Sequence, residues 1–272
     1  MAAPGAADAA IRLDGVTVAV AVDPEGAAGS GTKVLLDDVT VTLAERRIAV
    51  IGPNGSGKST FLRLLNGLVR PTAGTVSVAG FDTARSVAEV RRRVGFVFTD
   101  PMAQLLMPTA AEDIELSLRR VGLERRARRA RALALLEEWG LARIALSSVY
   151  DLSGGERQLV ALISVLASGP SVVVADEPTT LLDLRNSVRL RAAFAGLEQQ
   201  VIVATHDLEW ALGFDRVLVI QDGRVAFDGA AADGVAWYRG SVGQGGVWER
   251  GEILRCAQDD RRRGQGDRGG EL

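Results

Sequence analysis

The chain has one cysteine, Cys256, and one histidine, His206, among 272 residues. A lone thiol excludes a disulfide framework and a cysteine-built metal centre, and it fits a reducing compartment. Aromatics are scarce at 5%, and no Tyr, Phe or Trp occurs before Phe61. Charge of one sign is missing too: 32 Lys and Arg stand against 34 Asp and Glu, a formal net charge of −2. That balance gives nucleic acid no bulk electrostatic hold, so no nucleic-acid partner is expected. Seven arginines between Arg119 and Arg131 read as a solvated helix face. Apolar runs such as "SVVVA" and "VIVA" fall far short of the ~18 residues that would cross a bilayer. The Ala-rich N-terminus has neither the basic start nor the continuous apolar core of a secretion signal. The expected place is the cytoplasm, with any membrane role depending on a partner as anchor.

What is present is the composition of a soluble α/β chain, 47% hydrophobic and 24% charged. Short β-branched runs ("VTVAVAV" from Val16, "RIAVIG" from Arg47, "VGFVF" from Val94, "SVVVAD" from Ser171, "VIVATH" from Val201, "RVLVIQDG" from Arg216) alternate with helical stretches. The alternation predicts a sheet with a parallel centre. Asp222-Gly223 predicts a closing hairpin. Over about residues 102–155 strand signals give way to helix, with Leu123, Ala127, Ala130, Ala134 and Leu135/Leu136 recurring at helical spacing. This predicts a helical lobe inserted in the sheet lobe. From residue 239 onward the last 34 residues hold 9 Gly and 7 Arg without periodicity, which predicts a disordered tail over 239–272.

Two stretches could hold phosphate. "GPNGSGKST" (Gly52, Pro53, Asn54, Gly55, Ser56, Gly57, Lys58, Ser59, Thr60) follows an apolar strand and opens a helix, the setting a P-loop requires. Its glycines bare backbone N–H groups to wrap phosphates, Lys58 brings a point charge to the β/γ oxygens, and the Ser59 hydroxyl can ligate Mg²⁺. "LSGGERQ", Leu152 to Gln158, sets Ser153, Gly154 and Gly155 ahead of a second apolar helix, an anion site with no evident anion. The acids come later. "VVVADEP" ends a buried strand on Asp176, a Mg²⁺ ligand through water, with Glu177 beside it as the candidate base for an attacking water. His206 closes another core strand and is placed to meet a γ-phosphate.

Taken in order, "GPNGSGKST", "LSGGERQ", "VVVADEP", "TTLLD" ending in Asp183, and "THD" resemble the motif set of an ABC-type ATPase across about residues 9–238. The resemblance implies a P-loop NTPase core of the RecA kind with an N-terminal antiparallel β subdomain and an inserted α-helical subdomain. It also implies ATP as substrate with Mg²⁺, and head-to-tail pairing with a second cassette chain. Ser153, Gly154 and Gly155 of one chain would then clamp the γ-phosphate held by Gly52–Thr60 of the other. A cassette that acts on DNA ends would carry a long coiled-coil insert, and a ribosome-acting one would carry two cassettes; neither is seen. A small-molecule kinase would lack "LSGGERQ".

The run "VGFVFTDPMAQLLMPTAAEDIELSL", Val94 to Leu118, is similar to the corresponding segment of energy-coupling-factor cassettes. That implies a transmembrane coupling protein and a small substrate-binding membrane subunit as partners, at the cytoplasmic face of the cell membrane. The Thr-Asp-Pro variant and "VAWYRG" are most similar to the biotin-importing branch, with cobalt, nickel or another vitamin as the alternative solute. Two features depart from the family. Val18, Val20 and Val22 stand where an aromatic would stack on adenine, and Thr99 stands where a Gln would relay the nucleotide state, with Gln104 out of alignment for that part.

Overall fold

The computed structural model describes residues 10–22 and 31–245. The chain divides into two compact units at Val235/Ala236, and the fold and site below belong to the first.

An antiparallel sheet of four strands takes β1 (Ile11–Val22), β2 (Gly31–Leu43), β4 (Ala73–Val78) and β5 (Phe81–Asp82) in the order β2-β1-β4-β5. A second sheet has six strands: β3 (Arg47–Ile51), β6 (Val94–Val97), β7 (Val172–Asp176), β8 (Gln200–Ala204), β9 (Arg216–Gln221) and β10 (Arg224–Ala230), in the order β10-β9-β3-β8-β7-β6. Its strands run parallel except β10, which returns antiparallel to β9. Asp222 and Gly223 both take positive φ at that return, as a two-residue primed turn needs.

Helix α1 (Lys58–Leu65) lies between the sheets and buries Phe61, Leu62, Leu64 and Leu65 completely. They join one apolar cluster with Ile11, Leu13 and Val16 of β1 and with Ile48, Val50, Val174 and Ile202 of the parallel strands. Burying such side chains stabilises by about 1.5–3 kcal/mol each before chain entropy is counted. The P-loop helix is thereby fixed at the centre of the unit.

Helix α2 (Val87–Arg93) leads into β6, and between β6 and β7 the chain is helical: α3 (Ala110–Leu118), α4 (Arg125–Glu138), α5 (Gly154–Leu166) and short 3-10 turns. Two expectations shift here. Ala127 and Ala130 are exposed, and α4 buries Ala132, Leu135 and Leu136 instead. A methyl side chain among arginines carries too little apolar area to set a face, so the leucines do. The expected end of the lobe at residue 155 falls inside α5, which continues onto β6, where a Cβ at Gly95 would stand 2.2 Å from Val165 Cγ1.

After β7 come α6 (Leu184–Ala195) and α7 (Leu208–Ala211), and α8 (Ala231–Gly245) is the last described element. Residues 239–245, assigned from sequence to a disordered tail, are helical, because each residue added to an existing helix gains a hydrogen bond for one residue fixed. Residues 246–272, including Cys256, lie outside the described residues. No helix among the described residues is long and apolar enough to cross a membrane.

Candidate functional site

The central strands β3, β8 and β7 are neighbours, and their register sets Val50, Ala204 and Asp176 in one row. The P-loop leaves the carboxyl end of β3, Asp176 ends β7, and His206 follows β8, so the candidate groups converge just beyond one sheet edge. Open parallel sheets bind ligands at that edge.

In the loop, Gly52 has φ of +146°, and a Cβ there would stand 2.0 Å from the Ile220 carbonyl oxygen. Only glycine lets the loop pass β9 so closely. Pro53, Asn54 and Gly55 are exposed, while Ser56 is buried with its Oγ unpartnered. Gly57 starts α1 with φ of +111° under Leu35 and Leu36 of β2. The first amides of α1 are thus turned toward a cavity of about 300 Å³ lined by Asn54, Gly55, Gly57, Lys58, Ser59, Thr60 and Glu177. A helix N-terminus with bare amides favours anions.

Lys58 Nζ donates to the carbonyls of Gly52 at 2.8 Å and Pro53 at 3.0 Å. Burial holds its ammonium below the ordinary lysine value, opposed by the charges of Glu177 and Asp176. Ser59 Oγ donates to Asp176 Oδ1 at 2.9 Å, and Arg63 Nη2 stands 3.8 Å from Oδ2. Burial raises the Asp176 carboxyl above its usual range, against the Ser59 hydrogen bond and the Arg63 charge. The Ser59 hydroxyl and Asp176 carboxylate are two hard oxygen donors beside an anion cradle, a set that suits a small divalent cation completing its shell with water and phosphate oxygens.

Glu177 takes φ of +49°, a left-handed backbone conformation rare outside glycine. Its Oε2 lies 2.6 Å from His206 Nδ1 and accepts from Thr180 Oγ1 at 3.1 Å. The carboxylate is thereby held at the cavity wall, with the half-exposed imidazole on its outer side.

Ser153, Gly154 and Gly155 do not line that cavity. Ser153 caps α5: its Oγ accepts from the Glu156 amide at 3.3 Å, and Glu156 Oε2 accepts from Ser153 N at 2.9 Å. The Ser153 N–H and the Ser153 hydroxyl, which donates to the same Oε2 at 2.8 Å, hold the Glu156 carboxyl below its usual value. Ser153 and Gly154 are exposed, while Gly155 is pressed on Asn186, where a Cβ would come within 2.3 Å. The exposed start of "LSGGERQ" therefore lies outside the cavity lined by its own chain's P-loop. Asp183, the acid of "TTLLD", caps α6 by accepting from the Asn186 amide at 2.8 Å.

Sequence reading missed Arg63, Thr180 and Lys33. Arg63 lies four positions after Ser59 on α1, a spacing that places both on one face. Lys33 lines the cavity from β2, a strand the apolar pattern did not reveal. At the departures from the family, Val20 pairs with Lys33 across β1 and β2, and Thr99 Oγ1 donates to the Asp176 backbone carbonyl at 2.7 Å. Gln104 is occupied elsewhere, donating to the Ala161 carbonyl at 2.9 Å.

Residues 36–180 match the ABC transporter family. The chain is 46% identical over 209 residues to the biotin transport ATP-binding protein BioM of Rhizobium etli, covering 77% of this chain and 93% of that one. It is 41% identical over 202 residues to the cobalt import ATP-binding protein CbiO of Syntrophus aciditrophicus, covering 72% of each. Among solved structures it is similar to the dimeric ATP-binding cassette MJ0796 in a post-hydrolysis state with ADP and Pi. That match has a TM-score of 0.69 and 30% identity, over 81% of this chain and 98% of the other.

Proposed function

Starting from the chain's membership of the ABC transporter family as an ATP-hydrolysing cassette, we propose that it energises an importer of the energy-coupling-factor kind, with biotin as the solute. Its partners in that assembly are a second cassette chain, a transmembrane coupling protein and a small solute-binding membrane subunit. The chain sits at the cytoplasmic face of the membrane through them. The similarity to a biotin-transport ATP-binding protein supports the solute, and the similarity to a cobalt-import protein keeps cobalt or nickel as the second reading.

The observation that carries the mechanism is the separation of the two phosphate-binding stretches: the P-loop cavity holds Lys58, Ser59 and Glu177, while Ser153 and Gly154 face outward. A second copy in head-to-tail contact supplies the missing side. Gly52–Thr60 wrap the ATP phosphates and Lys58 turns from its own loop carbonyls to the β/γ oxygens. Ser59 and Asp176 would hold Mg²⁺, which would neutralise charge on the phosphate oxygens. Glu177 orients the attacking water and takes its proton, and His206, hydrogen-bonded to Glu177, positions that carboxylate and the γ-phosphate. Ser153, Gly154 and Gly155 of the opposite chain close over the γ-phosphate, and product release reopens the pair.

Mixing chains tests this directly. Lys58→Ala protein and Ser153→Arg protein, each inactive alone, should regain ATPase activity on mixing, since one interface of the mixed pair keeps an intact P-loop against an intact signature. A mixture no better than its parents would remove the shared-site arrangement. For the solute, proteoliposomes carrying the membrane subunits are assayed for ATP-driven uptake of labelled biotin, cobalt and nickel. Biotin uptake is expected, and metal uptake without it would hand the assignment to the second reading.

A further inference from the structure

The peptide bond between Asp176 and Glu177 is held on both sides. Its N–H, on Glu177, donates to the Ala204 carbonyl at 3.0 Å, and its C=O, on Asp176, accepts from Thr99 Oγ1 at 2.7 Å. The same peptide joins the carboxylate bonded to Ser59 with the carboxylate bonded to His206, and it leads into the left-handed backbone of Glu177. Such a conformation persists only where neighbours over-determine it. Ala204 fixes one edge of the peptide plane from β8, and Thr99 is the group that fixes the other.

Thr99 is itself held in place. β6 pairs in parallel with β7 through Val97 opposite Ala175, which brings the residues after β6 alongside Asp176. Phe98, one residue before Thr99, donates its N–H to Gln104 Oε1 at 3.3 Å and accepts at its carbonyl from Gln158 Nε2 at 3.2 Å. Gln104 Nε2 donates in turn to Ala161. Gln158 and Ala161 both belong to α5, the helix that Ser153 caps, and Gln158 is 1% exposed. Hydrogen bonds from the signature helix thus anchor Phe98, and the next residue in the chain, Thr99, carries the hydroxyl that meets the Asp176 carbonyl.

We propose that Thr99 is a positioning residue for hydrolysis: its hydroxyl holds the Asp176–Glu177 peptide and with it the direction of the Glu177 carboxylate. The proposal rests on Glu177 being the base, as described under the proposed function. A side chain with an extended amide would overshoot the carbonyl that a short hydroxyl meets, so the departure at position 99 has a purpose in this chain. Because the peptide carries the water-activating acid while the P-loop forms the phosphate cradle, its release should lower turnover while leaving ATP binding in place.

The test uses the full chain with Thr99→Val, which keeps the shape and removes the donor, and Thr99→Ser, which keeps the donor. For Thr99→Val, kcat is expected to fall roughly tenfold with KM for ATP and affinity for a fluorescent ATP analogue within about twofold of the parent. Thr99→Ser should recover most of the rate. If Thr99→Val does not fold, Thr99→Ala against Thr99→Ser carries the same comparison. An unchanged kcat in the valine or alanine variant, an equal loss in the serine variant, or a loss lying in KM alone would each overturn the proposal. Glu177→Gln is measured alongside. Turnover surviving there removes the base on which the inference rests, whereas turnover lost there but intact in Thr99→Val overturns the inference alone.

Discussion

Asp176 shows at the scale of one residue how the site is set against the stability of the fold. Its carboxylate is 3% exposed, and the Ser59 hydroxyl and distant Arg63 offset its burial only in part, so its pKa lies above the usual range. For an acid raised in the folded state, the ionised form is the one folding disfavours. The destabilisation is absent below the unfolded carboxylate range, grows as pH rises toward the folded value and is complete above it. Asp176→Asn, which keeps an oxygen for the Ser59 hydroxyl, is therefore expected to raise Tm at pH 7 in buffer free of Mg²⁺ and nucleotide. The gain should shrink to nothing in acid, and with Mg²⁺ and ATP the order should reverse, because ligand binding stabilises only the parent. Melting curves at several pH values decide it; a variant less stable at pH 7 than in acid relative to the parent would show that burial is not the dominant cause. The acids themselves were legible in "VVVADEP", since paired carboxylates after a buried apolar run have few structural uses. Their geometry was not: the left-handed φ of Glu177 and its bond to His206 join residues far apart in the chain.

At the scale of an element, α5 has two duties at its first turn. Ser153 caps the helix through its box with Glu156 and also presents its hydroxyl outward, where a partner's phosphate would lie. The two duties separate by substitution. Ser153→Ala loses the cap and should cost about 1 kcal/mol of stability as well as activity. Ser153→Asp keeps a capping oxygen and should preserve stability in denaturant titrations, yet its charge would repel a phosphate and abolish ATPase activity. Activity retained in the aspartate variant would mean that no phosphate approaches this helix end. "LSGGERQ" announced both the cap and the anion site, but β2 went unseen. Asp37-Asp38 interrupt its apolar alternation, Asp38 takes φ of +49°, and the register shifts between Val16 and Val18 of its partner β1 absorb the irregularity. Such a strand exists because β1 lies beside it, and an isolated window of sequence does not contain β1's register.

At the scale of the whole molecule, the proposed pairing predicts that activity depends on association. Glu177→Gln, which keeps the hydrogen-bonding shape and loses the base, should bind ATP and remain closed as a pair, eluting in size exclusion with ATP at twice the mass seen without it. The parent should turn over and separate. Elution as a single chain in the presence of ATP would exclude a nucleotide-closed pair.

The sequence by itself determined the P-loop, the paired acids, the signature and which segments form the parallel strands, because each is written in a few adjacent residues whose chemistry has little freedom. Only the tertiary structure decided which groups meet. It put Ser59 on Asp176, Glu177 on His206, Thr99 on the Asp176 carbonyl and the signature outside the cavity its own P-loop lines. The reason is that strand order and register, not distance along the chain, fix what lies at the sheet edge. Register comes from side chains on neighbouring strands packing together, a property no single stretch of sequence carries.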